Sequence, residues 1–252
     1  MRSFTFLTAV LGAAAVQAQN LSVLFDPSVS QPCQDAVTTQ ITNVQALIIP
    51  CGLINTAAIL IGSGGKFDNK TLSNAIDSSL NPKSLDAICS DTCTAAINNF
   101  GTVVAGPCAN QKPLLSPSIT GAADADTQAL LKNLGAADIS PILNYLRKTA
   151  CVKNGATYCA ADEHDAAQRG MAVDACTPCA KAQYDASVDT SSLPAYAKPT
   201  VDGEVAKVKT QLDACPADKL SNSTTTPKTS GAIAIAGRNT VMLIPVVASA
   251  LM

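Results

Sequence analysis

The 252-residue sequence contains no tryptophan, and only 4% of its residues are aromatic. It therefore has few of the stacking side chains with which sugar-binding and nucleic-acid-binding surfaces commonly hold their ligands. The formal net charge is −2, and lysine and arginine form no basic run. Because nucleic-acid binding depends on clustered positive charge, we expect no nucleic-acid partner.

The sequence also lacks the common catalytic motifs, including Gly-x-Ser-x-Gly, His-Glu-x-x-His and the phosphate-binding loop. Its single histidine, His164, lies among the carboxylates Asp162, Glu163 and Asp165, where acid–base chemistry is conceivable. A solvated loop or a helix start is the commoner role of such a stretch. We expect a non-enzymatic protein without cofactor or metal site, and a secreted hydrolase that uses two carboxylates is an alternative.

The N-terminus has the layout of a secretory signal peptide over residues 1–18. Arg2 is followed by an apolar run from Phe4 to Val16, and Val16-Gln17-Ala18 is a small-x-small cleavage site. The mature chain is therefore expected to begin at Gln19.

The C-terminus has the layout of a glycosylphosphatidylinositol (GPI) attachment signal. A Ser/Thr-rich stalk over 220–230 precedes the signal over 231–252, which is removed and ends in an apolar tail from Thr240. That tail is shorter than the roughly 20 residues that a transmembrane helix needs. Attachment is predicted at Ser230, with Gly231 and Asn222 as alternatives. A free apolar C-terminus on a secreted protein is a further alternative.

Three Asn-x-Ser/Thr acceptors, at Asn20, Asn69 and Asn222, predict N-glycosylation and hence exposure of these positions to solvent. Together with the two terminal signals, they predict an extracellular protein at the cell surface, anchored to the outer leaflet of the plasma membrane.

Ten cysteines lie between the two signals, and an even number on a secreted chain predicts five disulfides. They are Cys33, Cys51, Cys89, Cys93, Cys108, Cys151, Cys159, Cys176, Cys179 and Cys215. Five precede residue 109 and five follow residue 150, so at least one bridge must join the two groups. Cys176-Thr-Pro-Cys179 resembles a redox pair, but no buried strand precedes it, and a structural role with Pro178 opening a helix is expected. Zinc binding is disfavoured because only one histidine is present.

Apolar residues recur with helical spacing through residues 19–219, which we interpret as one cysteine-rich ectodomain. The stripes are Val37, Ile41, Val44 and Ile48, ended by Pro50; Leu72, Ile76 and Leu80; and Leu85, Cys89, Cys93, Ile97, Phe100 and Val104. On the longest stripe, Cys89 and Cys93 share one helical face and could bridge to two different neighbours.

The second half shows local start and stop patterns. A loop is expected over 109–121, a helix over 129–134 with Gly135 as its C-cap, and a helix opened by Ser140-Pro141 and running to about Thr149. Asn154-Gly155 predicts a β-hairpin near 151–159. A last helix is expected from near Asp202, carrying Val205, Val208, Leu212 and Cys215. The fold class is therefore all-α, a disulfide-stapled helical bundle with one small hairpin.

Two resemblances accompany these patterns. The segment from Ile142 to Cys151, Thr157-Tyr-Cys159 and the segment from Cys176 to Tyr184 resemble a family of fungal secreted cysteine-rich proteins, often GPI-anchored, whose domain has no assigned function. The segment from Cys89 to Cys108 is similar to the central helix of elicitins, which are helical sterol carriers. The second resemblance implies the bridges Cys33–Cys108 and Cys51–Cys93.

Three hypotheses follow. The first is a non-enzymatic, GPI-anchored surface or cell-wall glycoprotein of structural or interaction type, whose partners are the plasma membrane and cell-wall glycan. The second is an extracellular lipid or sterol carrier, which needs an apolar cavity between helices. The third is the hydrolase, which needs a polar cleft that contains His164 or an acid pair.

Overall fold

Helices make up most of the chain in the computed structural model, which describes residues 25–43, 45–53, 77–117, 125–171 and 174–220. The predicted signal peptide, glycosylation sites Asn20, Asn69 and Asn222, and attachment residues Ser230 and Gly231 lie outside these residues, as do Val44, Leu72 and Ile76. The helices that lie wholly within the described residues are α1 Gln31–Thr42, α2 Pro82–Ile88, α3 Asp91–Ala105, α4 Ala125–Leu131, α5 Ala136–Ala150, α6 Cys159–Gln168, α7 Pro178–Ser187, α8 Lys198–Asp213 and α9 Ala217–Leu220.

The predicted hairpin is confirmed. Strand β1 (Lys153–Asn154) pairs antiparallel with β2 (Thr157–Tyr158), with Lys153 opposite Tyr158. The connection is two residues long, and Gly155 occupies its first position with φ of 63°, a conformation that glycine adopts without steric cost. The fold class predicted from the sequence, a disulfide-stapled helical bundle with a small hairpin, is therefore correct.

Helix α1 is shorter than its apolar stripe predicts. It ends at Thr42, and the N–H of Asn43 closes the last turn on the Thr39 carbonyl. The Asn43 side chain then accepts a hydrogen bond from the Gln45 N–H at 3.2 Å. Such local side-chain bonds compete with helix continuation. The prediction that Pro50 ends the helix was wrong, although Ile48 is buried as expected.

The longest predicted stripe is divided between two helices. Ser90 is the N-cap of α3: its hydroxyl accepts from the Cys93 N–H at 3.1 Å and donates to the Ala87 carbonyl at 2.7 Å. Arg147 from α5 donates to the carbonyls of Ile88 and Cys89 at 2.9 and 3.2 Å. These bonds satisfy the groups that a helix break leaves without partners, which is why the chain can turn at Cys89.

Gly135 is an N-cap and not the C-cap that its position predicts. Helix α5 begins at Ala136, and the Gly135 N–H donates to the Asp138 carboxylate at 2.9 Å. Ser140-Pro141 consequently lies inside α5 and does not open it. Proline removes the helical hydrogen bond to the carbonyl of Ala137, which is an exposed residue.

Helix α8 begins at Lys198, earlier than the predicted start near Asp202, because Pro199 and Val201 extend it by a turn. Val201 and Leu212 are its buried residues. Cys215 lies just after the helix rather than within it. The expected loop is present over residues 109–116, where the described chain has no helix or paired strand beyond the single bridge of Leu115 with Phe25.

All ten cysteines are paired, as predicted. The bridges are Cys33–Cys108, Cys51–Cys93, Cys89–Cys151, Cys159–Cys179 and Cys176–Cys215. Cys89 and Cys93 bridge to different partners, although a helix break separates them. Cys89–Cys151 is the bridge that joins the two cysteine groups.

The main core lies where α3 crosses α5, with α1 and α8 packed around it. Its fully buried members include Phe100, Val104 and Ile139. Two smaller clusters lie around Cys51–Cys93 and around Leu85 with Tyr158. The core is thus mainly aliphatic, with few large aromatic side chains.

The α3–α5 crossing depends on Gly101. A Cβ atom built at this position would lie 2.8 Å from Cβ and 2.9 Å from Oγ of Ser140. We expect Gly101→Ala to lower the free energy of unfolding by about 1–3 kcal/mol, because the two helices must separate. Urea unfolding of the purified variant measures the change.

Two variants control for helix propensity and for the contact itself. Gly203→Ala in α8, where a Cβ would meet nothing within 4 Å, should stabilise the protein by about 1 kcal/mol. Adding Ser140→Gly to Gly101→Ala should recover part of the loss. If Gly101→Ala stabilises the protein as Gly203→Ala does, helices α3 and α5 do not approach each other closely at Gly101.

Candidate functional site

An apolar pocket lies between α4, α5 and the start of α8. Its volume is about 50 Å³, and its lining is almost entirely hydrocarbon. The residues that line it include Leu130, Leu131, Ile142, Tyr145, Leu146, Leu193, Tyr196 and Val201. Pockets that enclose a drug-sized ligand measure roughly 300–1,000 Å³, so this one offers no preformed room for a sterol.

Two tyrosines border this pocket, and only the hydroxyl of Tyr145 makes a well-formed hydrogen bond. Tyr145 donates to the Ser187 carbonyl at 3.0 Å, and burial together with the charge of Asp202 raises its pKa to about 12. The hydroxyl of Tyr196 is buried and makes no well-formed hydrogen bond. Burial and the neighbouring Asp138 carboxylate raise its pKa. Both phenols therefore stay neutral at ordinary pH.

The face of the Tyr196 ring carries a charged pair. Lys112 Nζ lies 5.0 Å from the ring centroid and 2.9 Å from Oδ2 of Asp138. Because lysine and carboxylate neutralise each other, this edge of the pocket has no free charge for an ionic head group. Lys112 and Asp138 therefore hold the 109–116 loop against α5 rather than forming a binding site.

A second candidate site is the polar cluster on α6, where Asp162, Glu163, His164 and Asp165 are helical and not looped. His164 Nε2 lies 3.0 Å from Oδ1 of Asp77 and 3.1 Å from Nε2 of Gln168. The histidine side chain is only 16% exposed. The structure thus gives it a carboxylate partner distant in sequence, in addition to its neighbours on the helix.

Glu163 points to α7. One terminal atom of the Gln183 amide lies 2.7 Å from Oε1 and 3.3 Å from Oε2 of Glu163, and the contact is a hydrogen bond when that atom is nitrogen. Burial, with a smaller contribution from the charge of Asp162, raises the pKa of Glu163 to about 7, and the Gln183 bond opposes the rise. This carboxyl group therefore changes charge near neutral pH, which ordinary surface carboxylates do not.

The Cys176-x-x-Cys179 motif is structural, as the sequence analysis expected. Its two cysteines bridge to different partners, Cys215 and Cys159, so they do not form a redox pair with each other. Pro178 opens α7, and the hydroxyl of Thr177 caps it by accepting from the Ala180 N–H at 3.0 Å. The motif thus ties the start of α7 to the start of α6 and to the chain just after α8.

Sequence reasoning found the carboxylate run around His164 but missed Asp77 and Gln183, which contact it from elsewhere in the chain. No motif marked either residue. Among the described residues, no group of three His, Cys, Asp or Glu side chains is arranged to hold a metal ion. Within the same ranges, no helix is both long and apolar enough to span a bilayer.

Comparison with known proteins finds no match to a protein-family model, a curated protein or a solved structure. The disulfides of the chain itself indicate the compartment in which it folds. Five disulfides on one chain are typical of proteins that fold and act in an oxidising extracellular compartment.

Proposed function

We propose that the chain is a non-enzymatic glycoprotein of the cell surface or cell wall, held at the outer leaflet of the plasma membrane by a GPI anchor. The observation that supports this most is the position of the last bridge. Cys176–Cys215 ties the chain just after α8 to the chain just before α7, and the sequence beyond this bridge leads within a few residues into the Ser/Thr-rich stretch. The stapled body would then stand on a glycosylated stalk, as surface proteins commonly do.

The exposed faces of α7 and α8 support a display role rather than capture of a charged ligand. Lysines on these faces pair with carboxylates one helical turn away. These pairs are Lys181–Asp185, Lys207–Glu204 and Lys209–Asp213. Alternating charges keep such a surface well hydrated without a strong field of either sign. Neither lipid carriage nor hydrolysis is favoured by an observation of comparable weight.

The anchor is tested by expressing the full chain in eukaryotic secretory cells and partitioning membranes in Triton X-114. We expect the protein in the detergent phase, and in the aqueous phase after treatment with phosphatidylinositol-specific phospholipase C. Mass spectrometry of the C-terminal peptide should find ethanolamine at Ser230, Gly231 or Asn222 and no residue of the apolar tail.

A matched control disrupts the tail alone. Val246→Asp with Val247→Asp leaves the ectodomain unchanged but removes the hydrophobicity that the transamidase reads. We therefore expect no GPI-anchored form of this variant in the detergent phase. A wild-type chain that is aqueous before lipase treatment, or that keeps its tail, would contradict the proposal.

A further inference from the structure

The five disulfides differ in how far solvent reaches them. Both cysteines are buried in three of the bridges, Cys33–Cys108, Cys51–Cys93 and Cys159–Cys179. In Cys89–Cys151 and Cys176–Cys215, by contrast, all four cysteines are partly exposed. A disulfide exchanges with an external thiol only where the attacking thiolate can reach a sulfur atom. In the folded protein, exchange is therefore confined to these two bridges.

A positive charge lies beside Cys89–Cys151. The Arg147 guanidinium group donates to the carbonyls of Ile88 and Cys89 at 2.9 and 3.2 Å. None of the ion pairs among the described residues includes Arg147, so no carboxylate neutralises this charge. A neighbouring cation stabilises a thiolate relative to the thiol. It therefore favours both the approach of an anionic thiol and the departure of Cys89 as a thiolate.

The two sulfur atoms of this bridge are not equivalent. Cys89 directly precedes Ser90, the N-cap of α3, and the first turn of a helix carries partial positive charge. Cys89 is also the C-cap of the short helix α2, but Arg147 bonds the carbonyls at that end. Cys151 is the C-cap of α5 and lies at the negative end of that helix. Because the thiol with the lower pKa leaves faster, Cys89 is the leaving group and Cys151 is the sulfur attacked.

The other accessible bridge lies beside a carboxylate. The Cys176 N–H donates to Oδ1 of Asp174 at 2.8 Å, and Lys219 reaches the other carboxylate oxygen only at 3.9 Å. A negative charge next to a disulfide repels an incoming thiolate and raises the pKa of a departing thiol. The two accessible bridges thus differ in the sign of the charge beside them.

We propose that Cys89–Cys151 is an exchange site at which the protein takes up an anionic thiol compound on Cys151. The thiolate of that compound attacks Sγ of Cys151 and forms a new sulfur–sulfur bond there. The bond between Cys89 and Cys151 breaks, and its electron pair stays on Sγ of Cys89 as a thiolate beside Arg147. One disulfide replaces another, so the step consumes no oxidant or reductant other than the incoming thiol.

The site goes beyond the proposed surface role and does not depend on the anchor. Cys151 is followed within two residues by the hairpin, in which residues 153–157 are exposed, so an attached compound has room on the solvent side. Exchange also opens the one bridge that joins the two cysteine groups, whereas the other four bridges stay closed.

Glutathione, which is an anionic thiol, tests the site on the purified, fully oxidised protein without denaturant. The reaction is stopped with N-ethylmaleimide after increasing times, and the peptides are mapped by mass spectrometry. At early times we expect glutathione on Cys151 and N-ethylmaleimide on Cys89. This pair should form on the order of tenfold faster than any modification of Cys176 or Cys215. The six buried cysteines should stay unmodified.

Cysteamine, a thiol that carries an ammonium group, separates the effect of charge from that of exposure in the wild-type protein. The preference for Cys89–Cys151 over Cys176–Cys215 should be smaller with cysteamine than with glutathione, because Arg147 repels the ammonium group and Asp174 attracts it. An equal preference with both thiols would contradict the selection of an anionic thiol. This comparison needs no substitution and so does not depend on the folding of a variant.

Arg147→Gln and Arg147→Lys test the role of the guanidinium charge. Exchange of glutathione at Cys89–Cys151 should slow on the order of tenfold in Arg147→Gln, and Arg147→Lys should keep most of the rate. If Arg147 only held the structure together, both variants would loosen the bridge and exchange faster. In the wild type, first modification at Cys176–Cys215, glutathione on Cys89 in place of Cys151, or no exchange before global unfolding would overturn the proposal.

Discussion

Replacing Cys89 and Cys151 together by serine should lower the free energy of unfolding by about 2–4 kcal/mol. This bridge spans 62 residues and is the one that joins the two groups of cysteines. Without it, the other four bridges leave two separately closed segments, one within 33–108 and one within 159–215. The unfolded chain then gains the freedom to separate these segments, which lowers stability.

The location of Cys89–Cys151 adds a second cost. The bridge joins the break between α2 and α3 to the end of α5, where Arg147 already donates to the carbonyls of Ile88 and Cys89. Loss of the bridge should weaken these charge-assisted hydrogen bonds, because the carbonyls are no longer held against the guanidinium group. Guanidinium unfolding of the oxidised protein and of the variant gives the difference.

Removal of Cys176–Cys215 by the same double substitution is the matched control. It spans 39 residues, so its entropic contribution is of similar size, but it lies at one end of the body. Hydrogen exchange should increase mainly in α7 and α8 in this variant. Loss of Cys89–Cys151 should increase exchange in both α2 and α6. Equal exchange patterns in the two variants would show that the inter-group bridge has no special role.

Local patterns predicted the helical class, the hairpin and the number of disulfides, because each depends on residues close together in sequence. Asn154-Gly155 fixes a tight turn, and Pro178 after Thr177 fixes a helix start, regardless of the surrounding fold. The bridge between the cysteine groups was predicted by counting alone. Its partners, Cys89 and Cys151, could not be predicted from the residues.

Ser90 and Ser140 show why helix boundaries were harder to predict. Both serines can cap a helix, and Ser140 has the more favourable context because a proline follows it. Only Ser90 caps, because Ser140 is buried against Gly101 at the α3–α5 crossing. Packing between distant helices therefore decides which local pattern is used, and the residues next to each serine do not show which helix will pack against it.

The same distinction applies to the candidate site. The sequence shows the acidic residues around His164 directly, and their polar character predicted a solvated segment. Glu163 contacts Gln183 on α7, and the Cys159–Cys179 bridge ties α7 to α6. Gln183 looks like an ordinary polar residue until that bridge places it against the carboxyl group. The property that makes Glu163 unusual is therefore tertiary in origin.

We expect Phe100→Ala to have the largest effect of any single substitution in the core, a loss of about 3–5 kcal/mol. Phe100 is fully buried on α3 within the cluster that includes Val104 and Ile139. Aliphatic neighbours held by disulfides cannot move far to fill the space that the ring leaves. Most of the removed contacts therefore become an empty cavity rather than repacked core.

Val103→Ala, three residues further along the same helix, is the comparison that separates burial from helix propensity. Val103 is 37% exposed, so its truncation should change the free energy of unfolding by no more than about 0.5 kcal/mol. Chemical denaturation of both variants with all five bridges intact measures the two effects. Similar losses for Phe100→Ala and Val103→Ala would mean that the disulfides, and not the aliphatic core around Phe100, hold the α3–α5 crossing.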